Sequence, residues 1–547
     1  MNYFTAPIKF ILFVVLFFCA AETFAAEGDL DLSFGTVGIV TTDNGDTNEL
    51  VRDLAVQPDG KIIAFGYGGD NFSTSRRAVV VRYNPNGSID STFGTSGRVI
   101  ISNVGAIGLA LQPNGKIVVA GMIGTAPNRD FYVARLNSDG SFDATFNGTG
   151  AVILDLRGTN DTARAVEIQP DGKIVVGGGS ARPGSDSQNE FALARLNADG
   201  TLDTSFDGDG KVFTMISAPG DDGSAVTLAI QSDGKIVAAG SVFIADAPGA
   251  TRIETFATVR YNSDGSLDTT FDGDGKVTTR FVSTALFMAT PSNTAASVLV
   301  QSDGKIVVVG SAGACCMPIP SSQIAVVRYN ADGSLDASFA TDGKALIFFP
   351  SLNFASAAAA AIQADDKIVI VGNIGDVGRG GAGIARLNPN GSLDETFSGD
   401  GRNVIVFRTG SSGQAFAVAI QADGKILLGG FIDITSGVRD FLLARFEVSG
   451  CTYSLSPSSL ITSSAGGTFN FTVTTQQGCS DTVRSNDPFI TIITKAIGEN
   501  PEVIFLSITY SVAANTGGTR TGTISVGNQN FAVIQAGVKS RKRVRFF

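Results

Sequence analysis

Short apolar runs rich in Val and Ile alternate with Gly- and Asp-rich punctuation along most of the chain. Val51 to Gln57, Lys61 to Phe65, Ala78 to Tyr83 and Arg98 to Ile101 are four such runs in succession. None has a helical period, and together they predict an all-β chain. Asp59-Gly60 sits between two of them and predicts a tight hairpin.

The same arrangement recurs. Gln57-Pro58-Asp59-Gly60-Lys61-Ile62 returns at Gln112, Gln169, Gln231, Gln301, Gln363 and Gln421, at spacings of 55 to 70 residues. Each copy is followed by a second motif, first Arg82-Tyr83-Asn84-Pro85-Asn86-Gly87-Ser88-Ile89-Asp90-Ser91-Thr92-Phe93. Its Arg recurs at 135, 195, 260, 328, 386 and 445. The Asp-x-Ser/Thr-Phe ending follows six of these, and the seventh ending is Asp31-Leu32-Ser33-Phe34 at the start of the chain. Four-stranded units repeating in this way predict a seven-bladed β-propeller. Residues 38–42 are expected to supply the missing fourth strand of the last blade, because an open ring leaves sheet edges exposed. A linear solenoid is the competing reading, and it would want capping units at both ends.

The paired motifs resemble the delta-60 repeat family over about residues 28–447, a resemblance that implies a propeller-like fold and no particular activity. Asp365-Asp366 in place of Asp-Gly and the early stop at Glu447 are departures from its pattern. Residues present in every blade are read as architectural, with Arg82 pairing with Asp90 and the seven Phe residues packing between blades. Ala355 to Ala361 is read as a strand despite its composition. Asp207, Asp209, Asp272 and Asp274 lie in Asp-Gly-Asp-Gly turns and are weak calcium candidates. Other blades carry Gly35-Thr36-Val37-Gly38 or Gly94-Thr95-Ser96-Gly97 there, so the turn is taken to need its Gly residues and not the acids.

Composition narrows the chemistry. The 547 residues include no His and no Trp, 66 Gly, and a net charge of −11. Without His, the common general base and metal ligand are missing, and Ser-His-Asp or Cys-His machinery is excluded. The acidic balance argues against nucleic acid as a partner. Residues 1–26 read as a cleaved signal peptide, with Lys9, a short apolar core and Phe24-Ala25-Ala26. No later segment reaches a membrane-spanning length. The expected location is therefore secreted, periplasmic or cell surface. Export permits disulfides, and Cys451 with Cys479 is the expected pair. Cys315-Cys316 stay open between a vicinal disulfide and separate thiols.

After residue 449 the composition changes. Residues 450–537 are rich in Thr, Ser and Val with strand-like alternation, as in Thr468-Phe469-Asn470-Phe471-Thr472-Val473. This predicts a small β-sandwich. Gly466-Gly467-Thr468-Phe469, Gly478-Cys479-Ser480-Asp481-Thr482-Val483 and Ala514-Asn515-Thr516-Gly517-Gly518 resemble the BACON-type family. That resemblance implies an immunoglobulin-like domain of surface proteins, proposed to bind glycans. Asp481 and Phe489 stand near positions that often hold Trp, which leaves a spacer role equally open. Residues 538–547 form a basic tail.

Two connections per blade are nearly constant, and the loop after the second strand varies. Variable loops on a rigid ring are where binding is usually placed. The candidate ligand-binding residues are Asp70, Asn71, Arg76, Arg77, Arg182, Asp186, Glu190, Asp246 and Arg252, with Asp130 on the same face. The expected function is a secreted or cell-surface recognition scaffold for protein or glycan, without catalysis and as a monomer. A carboxylate-dependent carbohydrate-active enzyme, with a pair such as Asp186 and Glu190, is the alternative.

Overall fold

The computed structural model describes residues 27–69, 76–185, 189–216, 222–245, 252–281, 291–314, 321–350, 352–376, 379–405, 412–435, 437–448, 454–476, 483–485, 487–499, 503–526 and 529–538. The calls on residues 1–26, Asp70, Asn71, Asp186, Asp246, all five cysteines and most of the tail lie outside these. The described residues form strands and turns, with no helix that is long and apolar enough to cross a membrane.

Seven four-stranded antiparallel blades follow one another. Blade one is Leu50–Val56, Ile62–Gly68, Arg77–Tyr83 and Arg98–Ser102. Blades two to six repeat this pattern over 104–154, 161–214, 223–279, 291–347 and 354–405. Blades five and six also touch through one parallel bridge, Ser322 to Phe354. Blade seven takes three strands from residues 413–446, and its outer strand is Ile39–Thr42. Ile39 lies opposite Ala444 and Thr42 opposite Phe441.

The first two strands of each blade are joined by the Asp-Gly turn. Gly60 holds φ at 81°, and the Gln57 N–H donates to the Lys61 carbonyl at 2.8 Å. Asp366 takes the corresponding position in blade six with φ 61°, a conformation that Asp tolerates better than most side chains. The alanine-rich segment is the inner strand of that blade, Phe354–Ile362.

Apolar cores lie between blades. Each neighbouring pair shares one, and the seventh joins Val51, Leu54, Ile62 and Ala64 of blade one to Ala417, Leu427, Phe441 and Leu443 of blade seven. Each interface takes one of the repeated Phe residues, from Phe34 to Phe397, and all seven are fully buried. The inner strand of every blade carries a β-bulge, between Val51 and Asp53 in blade one and between Ala163 and Ala165 in blade three.

The described residues between 454 and 538 form two four-stranded sheets. One contains Gly467–Gln476 and Val503–Val512, and the other Arg520–Val526 and Gln529–Gln535. Their facing sides bury Phe471 stacked on Phe531 at 4.2 Å, with Tyr510 edge-on to both.

Candidate functional site

One rim of the ring is built from repeated parts. Arg82 Nε donates to Asp90 Oδ2 at 2.8 Å, and its guanidinium lies 4.6 Å from the centre of the Phe93 ring. The same set recurs as Arg135–Asp143–Phe146, Arg195–Asp203–Phe206, Arg260–Asp268–Phe271, Arg328–Asp336–Phe339, Arg386–Asp394–Phe397 and Arg445–Asp31–Phe34. Burial pushes the Asp143 carboxyl up, and bonds from Lys116, Thr145 and Arg135 more than reverse that, holding it well below the carboxylate range. Seven near-copies brace the blades and offer no unique constellation. A cavity of about 680 Å³ between blades four and five, lined by Gln231, Lys235, Arg260 and Gln301, is made of these same parts.

The opposite rim is asymmetric. Arg76 precedes the third strand of blade one, and Arg129 is the second residue of that of blade two, Asn128–Leu136. Arg52 and Arg164 are the bulged residues of the inner strands of blades one and three. A bulge re-aims its side chain out of the pleat, and inner strands face the axis. Burial and the nearby Arg52 and Arg129 hold the Arg164 guanidinium below its ordinary value. Burial and Arg129 do the same to Arg76. Blades one and three are not neighbours, so Arg52 and Arg164 feel one another across the mouth of the ring. None of the four has a carboxylate partner among the described residues. The Nε atoms of Arg52, Arg76 and Arg129 are buried without a hydrogen-bond partner there. Arg52 instead lies 5.2 Å from the Phe416 ring centre and 5.7 Å from that of Tyr67.

Deeper in the channel are two carboxylates. Asp53 Oδ2 accepts the Leu109 N–H at 2.7 Å, and Oδ1 accepts that of Leu54 at 2.8 Å. Burial nevertheless pushes its pKa up to about 6. Glu167 is pushed up to about 8, first by burial and then by the Asp53 charge. The matching positions of the other blades hold Ala55, Ala110, Ala229, Leu299, Ala361 and Ala419. Glu167 is thus the one acid among these seven positions, and burial with the Asp53 charge holds its carboxyl well above the ordinary range.

The sequence-derived residues divide. Arg76 belongs to the unpaired group. Arg77 is committed to Asp46, with Nε donating at 3.0 Å and Nη2 closer still. Arg182 Nε and Arg157 Nη1 both hold Glu190, at 3.0 and 2.7 Å. Arg252 opens the third strand of blade four, Arg252–Tyr261. Asp209 and Asp274 accept the Lys211 and Lys276 N–H groups of their own turns at 2.9 Å. The Asp207 and Asp272 N–H groups donate to Asp264 and Asp332 carbonyls of the next blade. Reasoning from sequence missed Arg52, Arg129, Arg164, Asp53 and Glu167. A signal existed: the position five before each repeat Gln reads Arg52, Ile107, Arg164, Val226, Ala296, Ala358 and Phe416.

A family profile described as a domain of unknown function, DUF5122 beta-propeller, matches residues 57–93, 112–146, 169–206, 231–271, 301–339, 363–397 and 421–450. No curated protein matches the chain in sequence. Among solved structures, an ulvan lyase from a new polysaccharide lyase family is 10% identical, with a TM-score of 0.44 over 75% of this chain and 96% of that one. A virginiamycin B lyase from Staphylococcus aureus is 11% identical, at 0.40 over 74% and 98%. An α-L-arabinanase of Penicillium chrysogenum is 11% identical, at 0.40 over 63% and 94%. Seven matched repeats spaced across residues 57–450 support a β-propeller repeat family for the ring.

Proposed function

We propose that the protein is an exported recognition scaffold whose irregular rim binds an anionic glycan or an acidic protein segment. The observation that carries this reading is the set of four arginines, Arg52, Arg76, Arg129 and Arg164, gathered at the ring mouth without carboxylate partners among the described residues. Guanidinium groups match carboxylate and sulfate bidentately, and a half-buried one binds more strongly than an exposed one. Keeping like charges together in a chain of net charge −11 makes sense where a ligand supplies the counter-charge. Residues 38–42 close the ring as a shared blade, which keeps the mouth rigid. The C-terminal pair of sheets is read as an immunoglobulin-like domain that positions the ring or adds a second glycan contact.

The test is binding of the full chain to heparin, polygalacturonate and neutral dextran. Retention of the two anionic polymers, weakening with salt and at least about tenfold weaker in Arg129→Gln/Arg164→Gln, supports the reading. Equal retention of dextran, or no binding at millimolar sugar, overturns it.

A second reading rests on Glu167, whose raised pKa suits a proton donor. It makes the ring a carboxylate-dependent glycan-processing enzyme. Release of new chain ends from the same polymers, abolished in Glu167→Gln, would favour it over pure recognition.

A further inference from the structure

On the irregular rim, between blades two and three, stand Asp130, Asp155 and Asp161. One carboxylate oxygen from each lies within 4.8 Å of the other two. Asp161 opens the inner strand of blade three, is fully buried, and uses Oδ2 to accept the Leu156 N–H at 2.8 Å. Its Oδ1 is buried with no hydrogen-bond partner among the described residues. The nearby Ser180 hydroxyl is engaged by Arg157 Nε at 3.0 Å and faces Thr159 Oγ1 at 3.3 Å.

Blade one shows what this position needs structurally. Three residues before its bulge stands Glu49, also fully buried. Both its oxygens are satisfied: Oε1 by the Asn44 and Asp46 N–H groups, and Oε2 by the Asn44 N–H and Nδ2, all at 2.9 Å. Blade five places Asn293 there, and its Oδ1 accepts the Phe281 N–H at 3.1 Å. The architectural task is therefore to hold the connection from the previous blade, and one satisfied acceptor does it. Among the described residues, blade three leaves one oxygen of its buried Asp161 without a hydrogen-bond partner and places the Asp130 and Asp155 carboxylates beside that side chain.

We propose that Asp130, Asp155 and Asp161 form a divalent cation site, suited to calcium, that pins blade two to blade three beside the arginine group. Two oxygens 2.4 Å from one ion on opposite sides are 4.8 Å apart, and calcium takes oxygen ligands at about 2.3–2.6 Å. Magnesium, at about 2.0–2.1 Å, draws ligands closer and holds its waters harder. Asp155 is exposed and gives the ion a path from solvent and room for water ligands. Burial and then Asp155 raise the Asp130 carboxyl; burial raises that of Asp161, opposed by the nearby Ser180 hydroxyl and the Leu156 N–H, with Asp155 and Asp130 adding to the rise.

The site is distinct from the Asp-Gly-Asp-Gly turns, whose Asp209 and Asp274 oxygens accept backbone N–H groups. It also stands apart from the anionic-ligand reading, because it needs no glycan.

Calorimetric titration of the full chain with calcium chloride after chelator treatment tests the proposal, together with thermal melts in calcium and in chelator. One calcium equivalent should bind and raise the melting temperature. Asp155→Asn should bind at least about tenfold more weakly and, relieved of repulsion, should melt above the wild type in chelator. Asp209→Asn/Asp274→Asn should keep wild-type affinity. Absence of any calcium-dependent shift in the wild type, or an undiminished shift in both Asp155→Asn and Asp130→Asn, overturns the proposal. So does loss of binding in the turn variant alone. A magnesium response equal to that of calcium overturns the assignment of the ion.

Discussion

Arg445 Nη1 donates to the carbonyl oxygen of Pro85 at 2.6 Å, linking residues 360 positions apart. The bond is one step of a ring. Arg82 donates to Ser138, Arg195 to Ser263, Arg260 to Ala331 and Arg328 to Pro389, each reaching the next blade. Arg386 faces the start of the described chain and pairs with Glu27 at 2.5 Å. A parallel series of backbone bonds runs from Gly94 to Asp139 and on to Ser398, which donates to the Glu27 carbonyl, and Gly35, which donates to that of Asn86. The N-terminal segment thus occupies the place of a third connection in blade seven.

Removing that step should cost what a mid-ring step costs. Arg445→Ala strips a buried guanidinium from Asp31, the Phe34 ring and Pro85, and Asp31 keeps Lys425 at 2.6 Å as its ion-pair partner with the Ser33 N–H and hydroxyl on its other oxygen. Breaking a buried pair from one side costs about 3–5 kcal/mol. Urea unfolding of Arg445→Ala and Arg195→Ala should show losses of that size and similar to one another. Deleting residues 27–45 should do more, exposing the edge of Val438–Phe446 and producing aggregates by light scattering. A loss below about 0.5 kcal/mol for Arg445→Ala, with the deletion monodisperse, would leave the ring open.

The fold was legible because its parts recur. Gln57 and Arg82, each with six further copies, fixed strand number and blade number, and the displaced Asp31-Leu32-Ser33-Phe34 pointed to the shared blade. The site was less legible for the same reason. Repetition draws attention to constant positions, whereas the asymmetry lies where repeats disagree, at Arg52 and Arg164 against Ala296 and Ala358. Arg76 and Arg129 likewise stand six residues before a repeat Arg, where the other blades hold Asn189, Glu254, Ser322, Gly380 and Arg439. The acidic cluster joins residues from two blades and the connection between them, and only folding brings Asp130 to Asp161. Arg77 and Glu190 show the reverse case, being charged loop-end residues that folding commits to ion pairs.

Neutralising one arginine of the mouth should separate stability from binding. Arg164 is held below its ordinary value by burial, Arg52 and Arg129, so its charge opposes folding. Arg164→Gln should leave stability unchanged or raise it by up to about 1 kcal/mol, the scale of partly exposed charge pairs. Affinity for heparin should fall. Arg77→Gln should show the opposite pattern, losing the Asp46 pair with little change in affinity. Thermal melts and heparin retention on the same two proteins check both signs.

Glu167 predicts a pH dependence of unusual sign. Its carboxyl is raised from 4.5 to about 8 in the folded chain. Between those values the folded state binds a proton that the unfolded state has released, so stability falls as pH rises through the window. Asp53, raised from 3.8 to about 6, adds to the lower half. The repeated Asp143, Asp203, Asp268 and Asp336 are held low. Their stabilising charge is present above about pH 4 and is lost as pH falls below it. Melting temperature against pH should therefore peak between about pH 4 and pH 5 and decline toward pH 8. Glu167→Gln should flatten the decline and leave the acid limb intact. A flat wild-type profile between pH 5 and pH 8 would contradict the burial of Glu167.

The bulge that aims Arg164 depends on the strand beside it. Ala163 pairs with Gly178 and Ala165 with Gly177, so Arg164 is squeezed out of register. A Cβ on Gly178 would overlap the Thr162 carbonyl oxygen and crowd Ala163. Gly also stands nine residues after each repeat Gln, at 66, 121, 240, 310, 372 and 430, which ties the close approach to the bulge in every blade. Gly178→Ala must push the inner strand of blade three away or flatten the bulge, because backbone cannot yield as a side-chain tip does. Overpacking of this kind costs about 1–3 kcal/mol and occasionally more. Flattening also turns Arg164 into the ladder and away from Arg52, so heparin affinity should fall along with stability. Gly380→Ala is the control: its added Cβ meets nothing within 4 Å among the described residues, and both melting temperature and affinity should stay at wild-type values. If Gly178→Ala is as stable as Gly380→Ala and binds heparin equally well, the bulge does not set the position of Arg164.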